Sequence, residues 1–499
     1  MFVFEQLAEH AKFQPEKIIS SYHGRELSYK QFYQQAKNLA GYFQRKGYKK
    51  EDKIALFLHN SDYFLLSYYA CQIAGFTVTP VNTKLTTPEV EYIFTHSEAK
   101  ALIYDVRFNE KLKNINLQIF EDLLDVGGED TLEAVLSDDS IPFEEREIDK
   151  DDTAVIFYTS GTTGKPKGVM LTAGNVRAAG QIWSESMGIT AADRVQIITP
   201  LFHCAASHVF AIPVIYKGGT VIIEEAFSPE QTLETMEKSK VTIFFGVPAI
   251  YSILLNTPKM AFLDLSHLRL FTYGAAPMPY ELVKKLKALY PNVKVQNLYG
   301  QTENSPAATS LKDHHALEKI GSVGEVLPQT QVRVVDEFGT ILPPGLVGEI
   351  VVKGPQVMKG YLKNEVETNR ALKDGWLYSG DLGRFDEDGL LYIVDRKKDM
   401  INRGGENVYP VEVEEVLYQI DEMLEAAVVG IPHEVYGEVP KAFIVLKKGQ
   451  FLTEEEVILY CKGRLAKYKL PFEVEFLDAL PRNASGKVLK NSLRQNVGI

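Results

Sequence analysis

One stretch of the chain reads Tyr158-Thr159-Ser160-Gly161-Thr162-Thr163-Gly164-Lys165-Pro166-Lys167-Gly168. It follows a short apolar run, Ala154-Val155-Ile156-Phe157, that predicts a buried strand. The glycines allow backbone N–H groups to approach an anion closely without a Cβ in the way. The hydroxyls add donors and the lysines add charge, so the stretch predicts a loop that holds a polyphosphate. A flexible surface loop is the ordinary alternative for such a composition.

This stretch is not a Walker A loop. That motif has four residues between its first glycine and a Gly-Lys-Ser/Thr, whereas Lys165 is followed by proline. The interpretation of the loop therefore depends on what the rest of the chain contains.

Size and composition predict a globular protein of two or more domains. The chain has 499 residues, of which 45% are hydrophobic and 24% charged, and this length is too great for a single core. The net charge of −12 disfavours nucleic acid and anionic membranes as general partners. The cysteines Cys71, Cys204 and Cys461 are scattered without CxxC spacing, so neither a disulfide framework nor a thiolate metal site is expected.

No targeting or membrane segment is apparent in the sequence. The N-terminus lacks the basic start and the uninterrupted apolar core of a secretory signal. No apolar run reaches the ~18 residues that a membrane-spanning helix needs. A cytoplasmic location without a membrane span is the expectation.

Strands and helices alternate along much of the chain. Ser28 is expected to cap a helix that ends at Gly47, and Asp62 to cap a mostly apolar helix that ends at Gly75. This order predicts parallel sheets covered by helices. The apolar runs that predict strands are Ile54–Leu58, Thr77–Val81, Val195–Ile198, Val221–Ile223, Val241–Phe245, Leu268–Phe271 and Val293–Gln296. Several of these strands are followed by turns that contain glycine, and the turns should meet beyond the carboxyl ends of the strands.

The C-terminal third has a different pattern. Short strands around turns between Val332 and Val352 predict a small β-rich unit, and alternating helices and strands after the charged run 395–399 predict a small α/β domain. The predicted class is α/β, with a large N-terminal domain of doubly wound sheets plus the small β-rich unit, followed by a small mobile C-terminal α/β domain.

Five separated stretches together resemble the adenylate-forming superfamily, which includes acyl-CoA synthetases, adenylation domains and luciferases. They occur in the family order and span most of the chain, and they are Thr159–Gly168, Tyr299–Glu303, Tyr378–Asp381, Arg396–Gly405 and Pro481–Lys487. The resemblance implies an ATP-dependent enzyme that activates a carboxylic acid. It also implies two domains, residues 1–395 and 396–499.

The resemblance assigns most nucleotide contacts. Thr302 matches the residue on the α-phosphate, and Glu303 matches the carboxylate that holds Mg²⁺, an ion that prefers oxygen ligands. Asp381 and Arg396 match the pair on the ribose. The residues that correspond to the phosphate cradle are Thr159, Ser160, Gly161, Thr162, Thr163, Gly164 and Lys167. Those that correspond to the remaining nucleotide contacts are Gly274, Ala275, Ala276, Pro277, Asn297, Tyr299 and Gly300, although simple core packing is an alternative for the alanine and tyrosine positions.

The C-terminal positions correspond to the moving parts of the family. Lys487 matches the catalytic lysine, whose ammonium offsets charge that develops in the transition state. Lys398 matches the hinge between the two half-reactions. The positions that match the border of the coenzyme A tunnel are Gly404, Gly405 and Glu406. Asp395 stands where glycine commonly precedes the arginine, a departure from the family pattern beside the hinge.

The acid pocket is predicted to be largely apolar. His203 resembles a gate residue, with a satisfied core histidine as the alternative. No aspartate matches the position that pairs with an α-ammonium, which disfavours amino-acid substrates. Other predicted walls are Phe244, Gly246, Val247 and Gln301. Because Gly246 and Gly274 are small, they favour room for a hydrocarbon tail, so a medium- or long-chain fatty acid is the expected substrate.

The predicted function is an acid–CoA ligase with ATP, Mg²⁺ and coenzyme A as cofactor and co-substrates. The alternatives are an aryl-CoA ligase of the benzoate, coumarate or succinylbenzoate type, and an adenylating enzyme that loads a carrier protein. A carrier protein is a partner only under that alternative. A homodimer is left open as the oligomeric state.

Overall fold

The computed structural model describes residues 1–129, 131–159, 165–482 and 488–495. Contacts divide the chain into two compact units. The first comprises residues 1–332 and 351–378, and the second residues 333–350 and 379–499. The boundary at 395/396 stays a prediction.

The strands are numbered in chain order and are β1 (Ile18–Tyr22), β2 (Arg25–Ser28), β3 (Lys53–Phe57), β4 (Thr77–Pro80), β5 (Ala101–Asp105), β6 (Asp122–Val126), β7 (Thr153–Thr159), β8 (Lys167–Thr172), β9 (Arg194–Ile197), β10 (Thr220–Ile223), β11 (Ile243–Phe245), β12 (Leu270–Gly274), β13 (Lys294–Tyr299), β14 (Thr309–Leu311), β15 (Ser322–Val326), β16 (Gln331–Val335), β17 (Gly348–Lys353), β18 (Gly360–Tyr361), β19 (Leu372–Lys373), β20 (Trp376–Phe385), β21 (Leu391–Arg396), β22 (Ile401–Arg403), β23 (Glu406–Val408), β24 (Met423–His433), β25 (Gly437–Leu446) and β26 (Glu473–Phe476).

The α-helices are α1 (Val3–Phe13), α2 (Tyr29–Arg45), α3 (Asp62–Ala74), α4 (Thr87–Ser97), α5 (Asn109–Leu112), α6 (Leu132–Ser137), α7 (Ala173–Ser186), α8 (Ile212–Tyr216), α9 (Pro229–Lys238), α10 (Pro248–Asn256), α11 (Tyr280–Leu289), α12 (Glu365–Ala371), α13 (Pro410–Leu417), α14 (Glu454–Cys461) and α15 (Lys490–Gln495). A π-helical segment, Ala205–Ala211, precedes α8. Among the helices of the described residues, none combines the length and apolar character needed to cross a bilayer.

The first unit contains two largely parallel sheets. One has the strand order β15-β14-β13-β12-β11-β9-β10-β1-β2, and the other has the order β18-β8-β7-β4-β3-β5-β6. The strands from β13 to β1 pair in parallel, as do β7, β4, β3, β5 and β6. Helices cover these sheets and bury separate apolar clusters against them. The α/β class predicted from the alternating pattern is confirmed.

The two predicted helix caps have different outcomes. Ser28 accepts a hydrogen bond from the Gln31 amide at 3.3 Å and caps α2, as predicted. The prediction for Asp62 is wrong, because Ser61 is the residue that caps α3. The buried Asp62 carboxylate instead accepts a bond of 2.8 Å from Nε of Arg25.

The second unit has two groups of strands, in which β20–β21, β22–β23, β22–β25 and β24–β25 pair antiparallel and β25–β26 pair in parallel. In the first group the order is β16-β17-β20-β21, and in the second it is β23-β22-β25-β24 with β26 beside β25. β24 and β25 form a long hairpin that packs against α13 and α14 around a core of its own.

Candidate active site

A turn after β13 presents a hydroxyl and a carboxylate side by side. At Gly300 a Cβ would lie 2.2 Å from the carbonyl carbon of Pro306, so this position requires glycine. Thr302 and Glu303 follow in one short helical turn, Thr302–Asn304. β13 is part of a parallel array, and ligands of such sheets bind beyond the carboxyl ends of the strands. The turn therefore lies where a doubly wound sheet binds its substrates.

Three residues from two other segments of the first unit hold this turn. Sγ of Cys204 lies 3.2 Å from Oγ1 of Thr302. The hydroxyl of Tyr361 donates to Oε1 of Glu303 at 2.8 Å, and the amide of Met358 donates to the Glu303 carbonyl at 2.8 Å. None of these three contacts was predicted from the sequence, since Cys204 and Tyr361 are 98 and 58 positions from their partners and no spacing rule links them.

Burial fixes the protonation of two of these partners. It raises the pKa of the Cys204 thiol to about 12, so a neutral S–H faces Thr302. Burial also raises the pKa of Tyr361, and the neighbouring charge of Glu303 adds to the effect. The tyrosine therefore keeps the proton that it donates to the carboxylate.

The glycine-rich loop joins β7 to β8. Its residues Ser160, Gly161, Thr162, Thr163 and Gly164 lie outside the described residues, whereas Thr159 and Lys167 are paired across the two strands. Nζ of Lys167 lies 3.2 Å from Oε2 of Glu367 and 4.5 Å above the ring of Tyr361. Burial of Glu367 disfavours its charge, yet the contacts with Lys167 and Arg370 hold its pKa below the usual value. The Lys167 charge is thus shared between a carboxylate and an aromatic ring.

The predicted adenine turn begins at the end of β12. Gly274 pairs with Leu298 of β13, and a Cβ on Gly274 would lie 2.6 Å from the Leu298 carbonyl oxygen. Ala275 has a positive φ of 66°, which costs free energy for a residue with a side chain. Such strain is common at functional turns. The exposed residues of the turn are Ala275, Ala276 and Pro277.

The neighbouring β13 supplies two more of the predicted nucleotide contacts. Asn297 is buried, and its side-chain amide donates to the Ser322 carbonyl at 3.4 Å. Tyr299 is the last residue of β13 and is partly exposed. Gln301, a predicted pocket residue, follows Gly300 and is also partly exposed.

His203 lies where the chain enters the π-helical segment. Its carbonyl accepts hydrogen bonds from Ser207, and its ring packs against Phe202 with centroids 4.9 Å apart. Burial lowers the pKa of His203 to about 4, and the positive charge of Lys84 contributes. The ring is therefore neutral at physiological pH.

The other predicted pocket residues lie around the end of β11. Phe244 is fully buried and packs edge-on against Tyr251 and Phe271 in the core behind the sheet. A Cβ on Gly246 would lie 3.0 Å from Ile250 and 3.2 Å from Tyr251. The space beside Gly246 and Gly274 is thus filled by the protein's own atoms. Val247 is partly exposed at the start of α10.

The second unit brings its predicted ribose pair together. Asp381 and Arg396 face each other across the antiparallel pair β20 and β21, with Nε of Arg396 3.5 Å from Oδ1 of Asp381. Lys398 is exposed two residues after β21.

The predicted tunnel residues form the tight turn between β22 and β23. Gly404 and Gly405 both have positive φ, 64° and 95°, and Glu406 opens β23 and is exposed. The amide of Gly404 donates to the Tyr436 carbonyl at 2.8 Å.

Asp395, the departure from the family pattern, has a defined local role. Its buried carboxylate accepts hydrogen bonds from the amides of Arg396 at 2.6 Å and Val411 at 3.0 Å. Val411 lies in the first turn of α13, whose own N-cap residue, Tyr409, supplies no side-chain cap. Asp395 therefore caps this helix from a distance, which glycine could not do. Burial raises the pKa of Asp395.

The donor set fits a metal that reaches the protein together with phosphates. In the described parts of the chain, no group of three or more His, Cys, Asp or Glu side chains is arranged to hold an ion. Mg²⁺ is commonly bound through one or two carboxylates plus substrate phosphates, and the single Glu303 carboxylate suits that mode. The catalytic candidate Lys487 lies outside the described residues.

Two family models together cover most of the chain. The model described as AMP-binding enzyme matches residues 7–362, and the AMP-binding enzyme C-terminal domain matches residues 412–487. The second match includes the position of Lys487.

Several similar proteins are named as CoA ligases or CoA synthetases. A feruloyl-CoA synthase of Amycolatopsis sp is 37% identical over 489 residues, which cover 98% of this chain and 97% of that protein. The long-chain-fatty-acid–CoA ligase FadD13 of Mycobacterium tuberculosis is 36% identical over 471 residues, covering 94% of this chain and 93% of that protein. The solved structure of o-succinylbenzoate coenzyme A synthetase (MenE) from Bacillus subtilis with ATP and magnesium ion has a TM-score of 0.88 at 32% identity. The match covers 98% of this chain and 99% of that chain.

Proposed function

This chain belongs to the AMP-binding enzyme family and is an AMP-forming acid–CoA ligase, and from that premise we propose that its acid is a medium- or long-chain fatty acid. The turn with Thr302 and Glu303 at the end of β13 supports the proposed site, because it presents a hydroxyl and a carboxylate beyond the carboxyl end of a strand in a parallel array, where such sheets commonly bind ligands.

In the first half-reaction, a carboxylate oxygen of the acid bonds to the α-phosphorus of ATP while the bond to pyrophosphate breaks. Thr302 donates its hydroxyl to an oxygen of the α-phosphate. Glu303 would supply one carboxylate ligand to magnesium, and the bound ion would offset negative charge on the phosphates. Lys487 approaches the reacting oxygens and stabilises the charge that develops on them. Loop residues 159–164 and Lys167 hold the outer phosphates.

In the second half-reaction, the sulfur of coenzyme A bonds to the acyl carbon, AMP leaves and the thiol proton passes to solvent. Asp381 and Arg396 hold the ribose. A C-terminal domain of residues 396–499 turns at Lys398 between the two steps and brings Gly404–Glu406 to the pantetheine.

The acid pocket contains His203, Val247 and Gln301, together with the backbone at Gly246. A neutral His203 suits an apolar tail because it places no charge beside it. Similarity to a long-chain-fatty-acid–CoA ligase over 94% of this chain supports the fatty-acid assignment. An aryl acid is the second candidate, supported by the similarity to a feruloyl-CoA synthase.

The test is AMP and pyrophosphate release across short, medium, long and aromatic acids, with and without coenzyme A. The expected result is the highest kcat/KM on a medium- or long-chain acid, with turnover that requires coenzyme A. A preference for cinnamate- or benzoate-type acids would replace the fatty-acid assignment by the aryl one. If coenzyme A were inert and a phosphopantetheinyl carrier protein supported turnover, the chain would be a carrier-loading enzyme.

A further inference from the structure

We propose that Tyr361 is a positioning residue for Glu303: its hydroxyl fixes the carboxylate in the orientation that receives magnesium bound to ATP. The inference rests on the proposed function, since it assumes that Glu303 is the magnesium ligand. It adds a residue that the sequence motifs did not identify.

The hydroxyl of Tyr361 is held in place by its backbone. Tyr361 lies on β18, in register with Val169 of β8, and is only 6% exposed. Its amide donates to Oγ1 of Thr368 at 2.9 Å. A Cβ on the preceding Gly360 would lie 2.8 Å from Cγ2 of Thr368, so α12 packs closely on this strand. The ring of Tyr361 therefore has little freedom to move, and its hydroxyl is held where it donates to Oε1 of Glu303.

The same short segment holds Glu303 at two points. The Met358 amide donates to the backbone carbonyl of Glu303, and the Tyr361 hydroxyl donates to its carboxylate, each at 2.8 Å. A carboxylate on a surface turn ordinarily samples several rotamers, and each one lost on metal binding costs free energy. A carboxylate already fixed by a buried donor has lost that freedom before the nucleotide arrives. Hydrogen-bonded partners of ligating carboxylates act on metal affinity in this way.

A positive charge lies over the ring of Tyr361, whose hydroxyl donates to Glu303. Nζ of Lys167 is 4.5 Å from the ring centroid of Tyr361 and is also paired with Glu367. A cation over a phenol makes its hydroxyl a stronger donor, because electron density is drawn from the oxygen into the ring. Lys167 follows the glycine-rich loop directly, so the outgoing strand of the loop and the carboxylate are connected through Tyr361.

The ordinary alternative is that Tyr361 is only a core aromatic residue. In that case phenylalanine at position 361 would fill the same space. Removal of the hydroxyl would then change stability but not the magnesium dependence of ATP binding. The two interpretations therefore differ in one measurable quantity, the magnesium dependence of ATP binding.

The experiment is calorimetric titration of the full-length protein with ATP, without acid or coenzyme A, at a series of magnesium concentrations. Tyr361→Phe is expected to raise the magnesium concentration for half-maximal ATP affinity about tenfold, the lower end of the range for outer-shell partners of metal ligands. The matched control is Tyr22→Phe, which removes a tyrosine–carboxylate bond of 3.0 Å to Glu225 in the same unit. That control should leave the magnesium dependence unchanged.

A double-mutant cycle tests whether Tyr361 acts through Glu303. In a Glu303→Gln background, Tyr361→Phe should have little further effect on magnesium dependence. An additive effect would overturn the inference, as would a Tyr361→Phe variant with wild-type magnesium dependence. If Tyr361→Phe does not fold, Thr368→Val keeps the tyrosine but removes the acceptor of its amide, and a smaller shift in the same direction is expected; no shift would count against the proposal.

The wild-type titration distinguishes failure of the proposed role of Glu303 from failure of the proposed role of Tyr361. If wild-type protein bound ATP without any magnesium dependence, the proposed role of Glu303 would fail. If wild-type protein showed that dependence and Tyr361→Phe matched it, only the role of Tyr361 would fail.

Discussion

Replacement of Asp395 by alanine should loosen the start of α13. The carboxylate accepts two amide hydrogen bonds, from Arg396 and Val411, and alanine leaves both amides without this acceptor. Loss of a capping acceptor costs about 0.5–2 kcal/mol. Burial disfavours the charged carboxylate, as its raised pKa indicates, and the substitution removes this unfavourable contribution. The expected net loss of stability is therefore near the middle of that range, about 1 kcal/mol.

Hydrogen exchange measured by mass spectrometry checks this locally. A cost of about 1 kcal/mol should raise the exchange rate of peptides covering Pro410–Leu417 roughly fivefold. The matched control is Asp386→Ala, because Asp386 also accepts from two backbone amides, those of Asp388 and Leu390, but in an exposed turn of the same unit. That variant should change exchange only near its own turn. Unchanged protection of α13 in Asp395→Ala would refute the capping role.

The pH dependence of this effect has a defined sign. Because burial raises the pKa of Asp395, the folded chain binds this proton more tightly than the unfolded chain does. The stability that the Asp395 carboxyl contributes is fully present below its pKa in the unfolded chain. This contribution is lost as pH rises through its pKa in the folded chain. The difference in Tm between wild type and Asp395→Ala should therefore be larger at about pH 4 than at about pH 7. The opposite trend would mean that bonding to the ionised carboxylate outweighs its desolvation.

Three further outcomes are expected. Lys487→Ala should lower AMP formation by about 10²-fold while the Tm is retained, as for other charge-stabilising donors; a change below threefold would contradict the assigned role. His203→Phe should leave the shape of the kcat/KM profile unchanged from about pH 5.5 to 8, because the pKa of His203 is lowered to about 4; loss of an inflection near pH 6.5 would show that His203 titrates there. The cysteines Cys71, Cys204 and Cys461 should resist alkylation at about pH 8 in native protein and react in denaturant, because burial raises all three thiol pKa values; rapid native labelling, read by intact mass, would contradict this.

The parts of the molecule that local patterns control were predictable. Apolar runs of strand length predicted parallel strands. The family resemblance named Asp381 and Arg396 as partners on the ribose, and the register of β20 with β21 puts Nε of Arg396 3.5 Å from Oδ1 of Asp381. The error at Asp62 arose where a long-range contact competed with a local one. A buried ion pair with Arg25 takes the carboxylate, and the neighbouring Ser61 caps the helix instead.

The residues that hold the turn Thr302–Asn304 could not be predicted in this way. Cys204 and Tyr361 reach Thr302 and Glu303 from other segments, and a single sequence contains no signal for contacts over such separations. A cysteine and a tyrosine in apolar surroundings are also typical of ordinary core packing. Only their donor–acceptor geometry distinguishes them.

The two small residues at the predicted acid pocket, Gly246 and Gly274, do not leave space for a substrate tail. A glycine indicates free space only if no other atom occupies the position of its missing side chain. At Gly274 that position is taken by the carbonyl of Leu298, and at Gly246 by Ile250 and Tyr251. Both glycines thus permit close packing of neighbouring elements, so neither supplies the room from which a long tail was inferred. The fatty-acid assignment therefore depends on the neutral ring of His203 and on similarity to a fatty-acid ligase, and measured chain-length dependence decides it.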